Sequence, residues 1–313
     1  MYETDLNVRL LRLPVLYIPL ISCILLLSMR LPEWIKTRAE GLHPTKNLLR
    51  NHGLSTVCEE ARCPNKGLCF SKPTAAFMIL GDYCTRNCAF CSVKPGSSGD
   101  MAGVDPSEPE RVAAAAFDLG LKYIVVTSVT RDDLPDGGAV QFAETIRAVK
   151  RKLPDAQVEV LTPDFKGDAG ALSTVLEAGP DVFNHNMETV KRLYPRVRPQ
   201  ADYKLSLDVL ARAKTIAPHI KTKSGLMLGF GETRDEILEA FRDIRNAGCC
   251  LLTVGQYLRP SKKNLPVVEY IRPEVFDELK EAALLSGFEF VASGPLVRSS
   301  MNAEEAYKQV SKK

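Results

Sequence analysis

Seven short apolar, strand-like runs recur along the chain, at residues 74–80, 123–128, 157–161, 182–185, 222–228, 251–255 and 289–292. Between them, residues 109–119, 138–152, 169–178, 203–216, 234–247 and 273–286 carry apolar positions at the spacing of amphipathic helices. Strand–helix alternation of this kind implies parallel strands joined by right-handed crossovers, and so an α/β fold. Seven repeats exceed what a small doubly wound sheet needs, which favours a barrel or partial barrel. Polar clusters follow the strands at 81–84, 129–133, 162–165, 184–188, 229–233, 256–260 and 294–300. Those are the C-terminal strand ends, where α/β barrels build their active sites.

The ends of the chain break the alternation. Residues 30–57 read as an N-terminal wrap, with Trp34 and Ile35 in a charged setting and a short helical stretch from Asn47 stopped by Gly53. Pro64, Asn65 and Gly67 supply turns just beyond it. Arg9 and Arg12 precede an uncharged run, 13–28, with two prolines. That run reads as a signal-peptide core, a marginal membrane span or an over-extended start, with Met29 the favoured true beginning. The expected division is a hydrophobic extension at 1–28, an N-terminal extension at 29–72, a partial barrel at 73–295 and a tail at 296–313.

Composition narrows the function. The 313 residues suit one large α/β domain or two small ones, and 45% hydrophobic content is ample for a core. Lys+Arg 41 against Asp+Glu 38 gives +3, which argues against bulk nucleic-acid binding. Four scattered histidines (His43, His52, His185, His219) are too few for a metal triad, and no G-x-S-x-G motif is present.

Six of the nine cysteines fall between Cys58 and Cys91. Cys58, Cys63 and Cys69 form C-x4-C-x5-C, and Cys84, Cys88 and Cys91 form C-x3-C-x2-C. Three thiolates on a tight loop can hold three corners of a cubane iron–sulfur cluster and leave one iron open. A structural zinc knuckle or scattered buried thiols are the competing readings. A disulfide framework does not suit a large chain otherwise poor in cysteine. Cys249 and Cys250 read as small buried apolar residues, and Cys23 is given no role.

The second triplet, with Phe90 before its last cysteine, resembles the signature of the radical S-adenosylmethionine (SAM) enzymes. Both triplets together, Arg298-Ser299-Ser300, and the stretches 128–138, 159–165, 183–190, 221–229 and 254–260 are similar to the lipoyl synthases, from Met29 to about Ala303. The resemblance implies a partial (β/α)6 TIM-type barrel with N- and C-terminal extensions, two [4Fe-4S] clusters and SAM. It implies that Cys84, Cys88 and Cys91 hold the SAM cluster. It also implies that Cys58, Cys63 and Cys69 hold an auxiliary cluster whose fourth ligand is Ser300. Met301 stands where the family has a tyrosine; it can fill the ring's volume but cannot donate its hydrogen bond.

By the same resemblance Gly229, Gly231 and Glu232 contact SAM, with Glu232 receiving its ammonium. Asn184 and Glu188 read either as contacts to its ribose or amino group or as loop-capping polar residues. Arg131 pairs with the SAM carboxylate or with Asp132 or Asp133. The implied activity inserts two sulfur atoms, at C6 and C8, into a protein-bound octanoyl-lysine to form lipoyl-lysine. Two SAM molecules are cleaved per lipoyl group, and the auxiliary cluster supplies the sulfur.

The implied partners are octanoylated carrier domains (2-oxoacid dehydrogenase E2 and glycine cleavage H protein), an electron donor such as flavodoxin or ferredoxin, and an iron–sulfur carrier. No nucleic acid is involved. The expected location is the cytoplasm, with a membrane tether if residues 1–28 are made. Lys191, Arg192, Arg196 and Arg198 offer either a docking face for an acidic carrier or an ordinary solvated face. A biotin-synthase-like or methylthiolating enzyme should lack the second triplet with a terminal Arg-Ser-Ser. A two-cluster electron carrier should have closed, four-thiolate clusters.

Overall fold

The seven apolar runs form seven parallel strands: β1 (Ala76–Ile79), β2 (Tyr123–Ser128), β3 (Gln157–Leu161), β4 (Val182–Asn184), β5 (Lys221–Leu228), β6 (Leu251–Gln256) and β7 (Phe290–Gly294). They belong to a computed structural model that describes residues 31–36, 43–70, 75–97 and 99–311. Each strand pairs with its neighbour in sequence, from β1 through to β7, with no reversal of order. A doubly wound sheet would reverse; a barrel does not. The first strand does not pair with the last, and β1 instead carries a short antiparallel partner, Ser55–Thr56. The architecture is therefore a partial barrel.

Six helices follow the first six strands: α1 (Glu108–Asp118), α2 (Ala139–Lys152), α3 (Ala169–Glu177), α4 (Tyr203–Ile216), α5 (Arg234–Asn246) and α6 (Pro273–Leu285). Their starts are written locally. Asp168 and Asp202 accept backbone N–H groups at the heads of α3 and α4, and Thr233 with Glu236 makes a reciprocal capping box on α5. Phe77, Ile124, Val126, Val158, Val160 and Phe183 from the strands share one buried core with Phe142, Val175, Leu210, Phe241 and Leu279 from the helices. Each such side chain, fully buried, contributes about 1.5–3 kcal/mol. The intervening strand positions face the other way. Leu161, Gly225, Met227, Thr253 and Gly255 line a cavity on the concave side.

The expected boundaries hold to within two residues. β7 runs on to Gly294 because it stays in register with β6 as far as Gly255, whereas Leu80, at φ 69°, ends β1. The helix His43–Asn51 is longer than the stretch expected there, and the helix Ala303–Ser311 was not expected. Residues 31–36 contain one short turn, Glu33–Ile35. The readings of 1–28 and Met29 lie outside the described residues. Among the described residues no helix is long and apolar enough to cross a membrane.

Candidate active site

The second triplet leaves β1 and is pinned on all sides. Cys84 sits in a two-residue parallel pairing of Tyr83–Cys84 with Lys94–Pro95. Its Sγ accepts the N–H of Arg86 at 3.4 Å and of Thr130 at 3.3 Å; Val93 N–H donates to Cys91 Sγ at 3.4 Å. Such N–H···S bonds suit a thiolate that ligates iron. On either side of Phe90, Ala89 bonds Val197 and Leu265, and Asn264 Nδ2 donates to the Cys91 carbonyl at 2.7 Å.

Arg86, inside the loop, sends its guanidinium to Asp132 (2.8 and 3.0 Å) and Asp164 (2.6 Å twice). Burial pushes the Asp164 carboxyl up, but the Arg86 fork overrides it and holds the group at about 2. The loop is thereby tied to the ends of β2 and β3.

The first triplet is built on two short helices. Thr56 Oγ1 caps Val57–Glu60, which carries Cys58, and Cys69 lies on Lys66–Phe70. Ser92 Oγ donates to Glu60 O at 2.6 Å and so joins the two triplets. Burial first, then the Cys63 and Cys69 thiolates, pushes the Cys58 thiol up to about 12. Burial and the neighbouring thiolates do the same for Cys91, also to about 12. Thiols that resist ionisation alone but crowd one another are relieved by a bound cation.

Cys58, Cys63, Cys84, Cys88 and Cys91 are free thiols. Among the described residues no three His, Cys, Asp or Glu side chains converge as ligands of one metal ion. The donor set fits two cubane clusters, in which each thiolate meets a different iron.

Two cavities meet at these cysteines. One, of about 390 Å³, is lined by Cys58, Cys63, Cys69, Asn65, Arg298 and Ser300. The other, of about 220 Å³, is lined by Cys58, Cys63, Phe90, Cys91, Glu188 and Ser300, with Leu161, Met227, Tyr257 and Leu258 as apolar wall. Ser300 therefore faces both, alongside cysteines of both triplets.

The remaining expected residues are distributed differently. Glu188, at φ 68°, stands on the second cavity and takes an N–H from Asn186 at 3.1 Å; burial raises its carboxyl against the pull of Arg198. Asn184 is fully buried, and its amide donates to Glu159 (2.9 Å) and Ser299 (2.8 Å). It belongs to a buried cluster in which Lys223 meets Glu159 at 2.8 Å and Tyr123 donates to Glu159 at 2.7 Å.

Gly229, Gly231 and Glu232 line neither cavity. Glu232 Oε2 accepts from the N–H groups of Gly229 and Phe230, at 2.9 and 3.0 Å, while its buried Oε1 has no partner. Gly229 sits at φ 114°, where a Cβ would run into Gln256 Nε2.

Three readings are sharpened by these contacts. Arg131 is spent on Asp133, at 2.8 Å, and not on Asp132. Arg198 cannot serve a docking face. It is 8% exposed and its guanidinium donates to the carbonyl of Asn186 and to Tyr194 Oη. Arg192, exposed like Lys191 and Arg196, is paired with Glu236. Met301 Sδ accepts the Asn65 amide at 3.5 Å, a bond its lack of a donor does not forbid. Cys249 and Cys250 are buried, as expected. Sequence reasoning missed Arg86, Asn65 and the Glu159–Lys223 pair. Arg86 lies within the cysteine motif, and a charged residue at so enclosed a position was the available signal.

Residues 78–244, more than half of the chain, match the family model described as "Radical SAM superfamily". The fold agrees: methylornithine synthase (PylB) superposes with TM-score 0.53 at 14% identity, covering 82% of this chain and 83% of that one. HydG, a maturase of the [FeFe]-hydrogenase, gives 0.55 at 14%, covering 88% and 61%.

Within that class the sequence is more specific. It is 54% identical to lipoyl synthase of Alkaliphilus metalliredigens (strain QYMF) over 88% of this chain and 96% of the relative. It is 56% identical to that of Caldicellulosiruptor bescii over 87% and 94%. The chain belongs to the lipoyl synthase family. Its cofactors are SAM and [4Fe-4S] clusters, and it is a radical SAM sulfur-inserting enzyme.

Proposed function

We propose that Cys84, Cys88 and Cys91 hold the SAM cluster, that Cys58, Cys63, Cys69 and Ser300 hold the auxiliary cluster, and that the smaller cavity receives an octanoyl chain between them. The observation that carries this reading is the shared cavity, lined at once by Cys91, by Cys58 and Cys63, by Ser300 and by apolar side chains. When bound, the first cluster and SAM supply a carbon-centred radical oxidant and the second supplies sulfide, chemistry that lies with the cofactors and not with side chains.

The protein's own tasks are positional. Leu161, Met227, Tyr257 and Leu258 give an aliphatic chain a dry wall. Phe90 shields the Cys91 side. The free Oε1 of Glu232 supports its role as acceptor for the SAM ammonium, with Gly229 and Gly231 letting the backbone approach. Glu188, on the cavity, supports a polar contact to the ribose or amino group. For Asn184 the amide is committed to Glu159 and Ser299, and only Oδ1 is free for SAM.

The substrates are lipoyl-carrier proteins. The octanoylated E2 and H-protein domains, a flavodoxin or ferredoxin donor, an iron–sulfur carrier that rebuilds the spent cluster, and a cytoplasmic site follow as parts of the same proposal.

The test is anaerobic mass spectrometry of an octanoyl-lysine peptide incubated with reconstituted protein, SAM and a strong reductant. Gain of two sulfurs with loss of two hydrogens, alongside 5′-deoxyadenosine, is expected. Deoxyadenosine without sulfur would overturn the assignment of the auxiliary site.

A further inference from the structure

Ser300 lies on a tail far from both triplets in sequence, yet it must meet the auxiliary cluster with sub-ångström accuracy to serve as a ligand. Something has to hold residues 296–301 in place. The backbone does part of it: Val297 N–H closes a turn on Gly294, and Met301 N–H closes another on Arg298. On the barrel side, Ser299 Oγ accepts from Asn184 at 2.8 Å and donates to Asn186 Oδ1 at 3.1 Å. On the triplet side one side chain reaches across. Asn65, between Cys63 and Cys69, is 1% exposed and lines the cavity that holds those cysteines and Ser300. Its Nδ2 donates to the Leu296 carbonyl at 2.5 Å and to Met301 Sδ at 3.5 Å.

We propose that Asn65 is the positioning residue that clasps the serine tail onto the auxiliary triplet, with Leu296 and Met301 as its two grips. The inference rests on Ser300 being the fourth ligand and adds what keeps it there. The grips lie at the two ends of the 296–301 segment, so one amide spans the loop whose interior carries Ser300. The bonds join residues 231 and 236 positions apart, so local chain geometry does not maintain them, and a buried amide in a low-dielectric site binds its partners firmly. The amide orientation is fixed by chemistry, since a flipped Oδ1 would face the Leu296 carbonyl, oxygen against oxygen. Asn65 itself is held, because its own carbonyl accepts Cys69 N–H at 2.9 Å. The clasp is thus built into the stretch between Cys63 and Cys69.

The experiment uses the full chain carrying Cys84→Ala, Cys88→Ala and Cys91→Ala, so that only the auxiliary cluster is present. Asn65→Leu keeps the shape and removes both donated bonds. Asn65→Ala and Met301→Leu stand beside it in case the leucine disturbs folding, which circular dichroism reports. Each reconstituted protein is treated anaerobically with one equivalent of ferricyanide and a chelator. Loss of one ferrous iron with one electron leaves a three-iron cluster, read by its EPR signal and by the iron released.

The Ser300→Ala control should lose that iron rapidly. Asn65→Leu and Asn65→Ala should release it about tenfold faster than the parent, and Met301→Leu, which keeps the Leu296 bond, about two- to threefold faster. Parental release in the Asn65 variants, with rapid release in Ser300→Ala, overturns the clasp. Parental release in Ser300→Ala overturns the ligand assignment itself.

Discussion

Arg86 shows how one residue decides whether the cysteine loop has a fixed shape. Its planar fork meets two carboxylates at once, and the Asp164 side chain is only 1% exposed. Arg86→Leu leaves the buried Asp164 and the half-buried Asp132 without their counter-charge, and chemical denaturation should show a loss on the order of 3–5 kcal/mol. Arg86→Lys should recover little of it, because one ammonium cannot fork to both acids.

His185 makes a second, pH-dependent case. Its Nδ1 bonds Thr162 O at 2.9 Å, its Nε2 has no partner, and burial, followed by the nearby Arg198, lowers its pKa from 6.5 to about 4. The unfolded chain therefore binds a proton more readily than the fold. Stability is full above pH 6.5 and falls as pH drops toward 4, by about 3 kcal/mol in all. Denaturation of the cluster-free protein at pH 7 and at pH 4.5 should show that fall in the wild type and a much shallower one in His185→Asn.

At the scale of elements, the alternation of strand and helix was legible because period and burial agree. Phe77, Ile124, Val126 and Val158 face the helices, as an apolar run demands. Loop positions were legible only as locations. The sequence puts Asn184, Glu188 and Glu232 after the right strands, but which oxygen or amide is already taken depends on side chains distant in sequence, such as Glu159 for Asn184. Ser55–Thr56 is too short to carry a period, so its pairing on the edge of β1 had no signal.

Gly229 is where element and site meet. At φ 114°, with Gln256 Nε2 in the way and Glu269 O at 2.8 Å from a Cβ, the β5 exit admits no side chain. Gly229→Ala should cost about 1–3 kcal/mol in backbone strain alone. Equilibrium dialysis should show SAM affinity falling with it, because the Glu232 carboxylate is anchored to this N–H.

Across the whole molecule, the two triplets were visible in the sequence as separate motifs, whereas their meeting was not. Nothing in the spacing of Cys69 and Cys84 says that Cys91 and Cys63 line one cavity with a serine from the far end of the chain; that follows from the tail returning across the mouth of the barrel. The shared cavity makes the two halves of the chemistry separable by mutation. On the proposed assignment, Cys58→Ala or Cys63→Ala removes a corner of the auxiliary site while leaving the loop of Cys84, Cys88 and Cys91, with its Arg86 anchor, in place. Such variants should still convert SAM to 5′-deoxyadenosine with an octanoyl-lysine peptide present, yet add no sulfur. Cys91→Ala should abolish both products, since without an intact SAM cluster no hydrogen is abstracted. Paired quantification of deoxyadenosine and of peptide mass on the same samples checks this. Sulfur incorporation by Cys58→Ala would show that the cavity's second set of thiols is not the source, and the molecule would then need another sulfide donor on the acyl path.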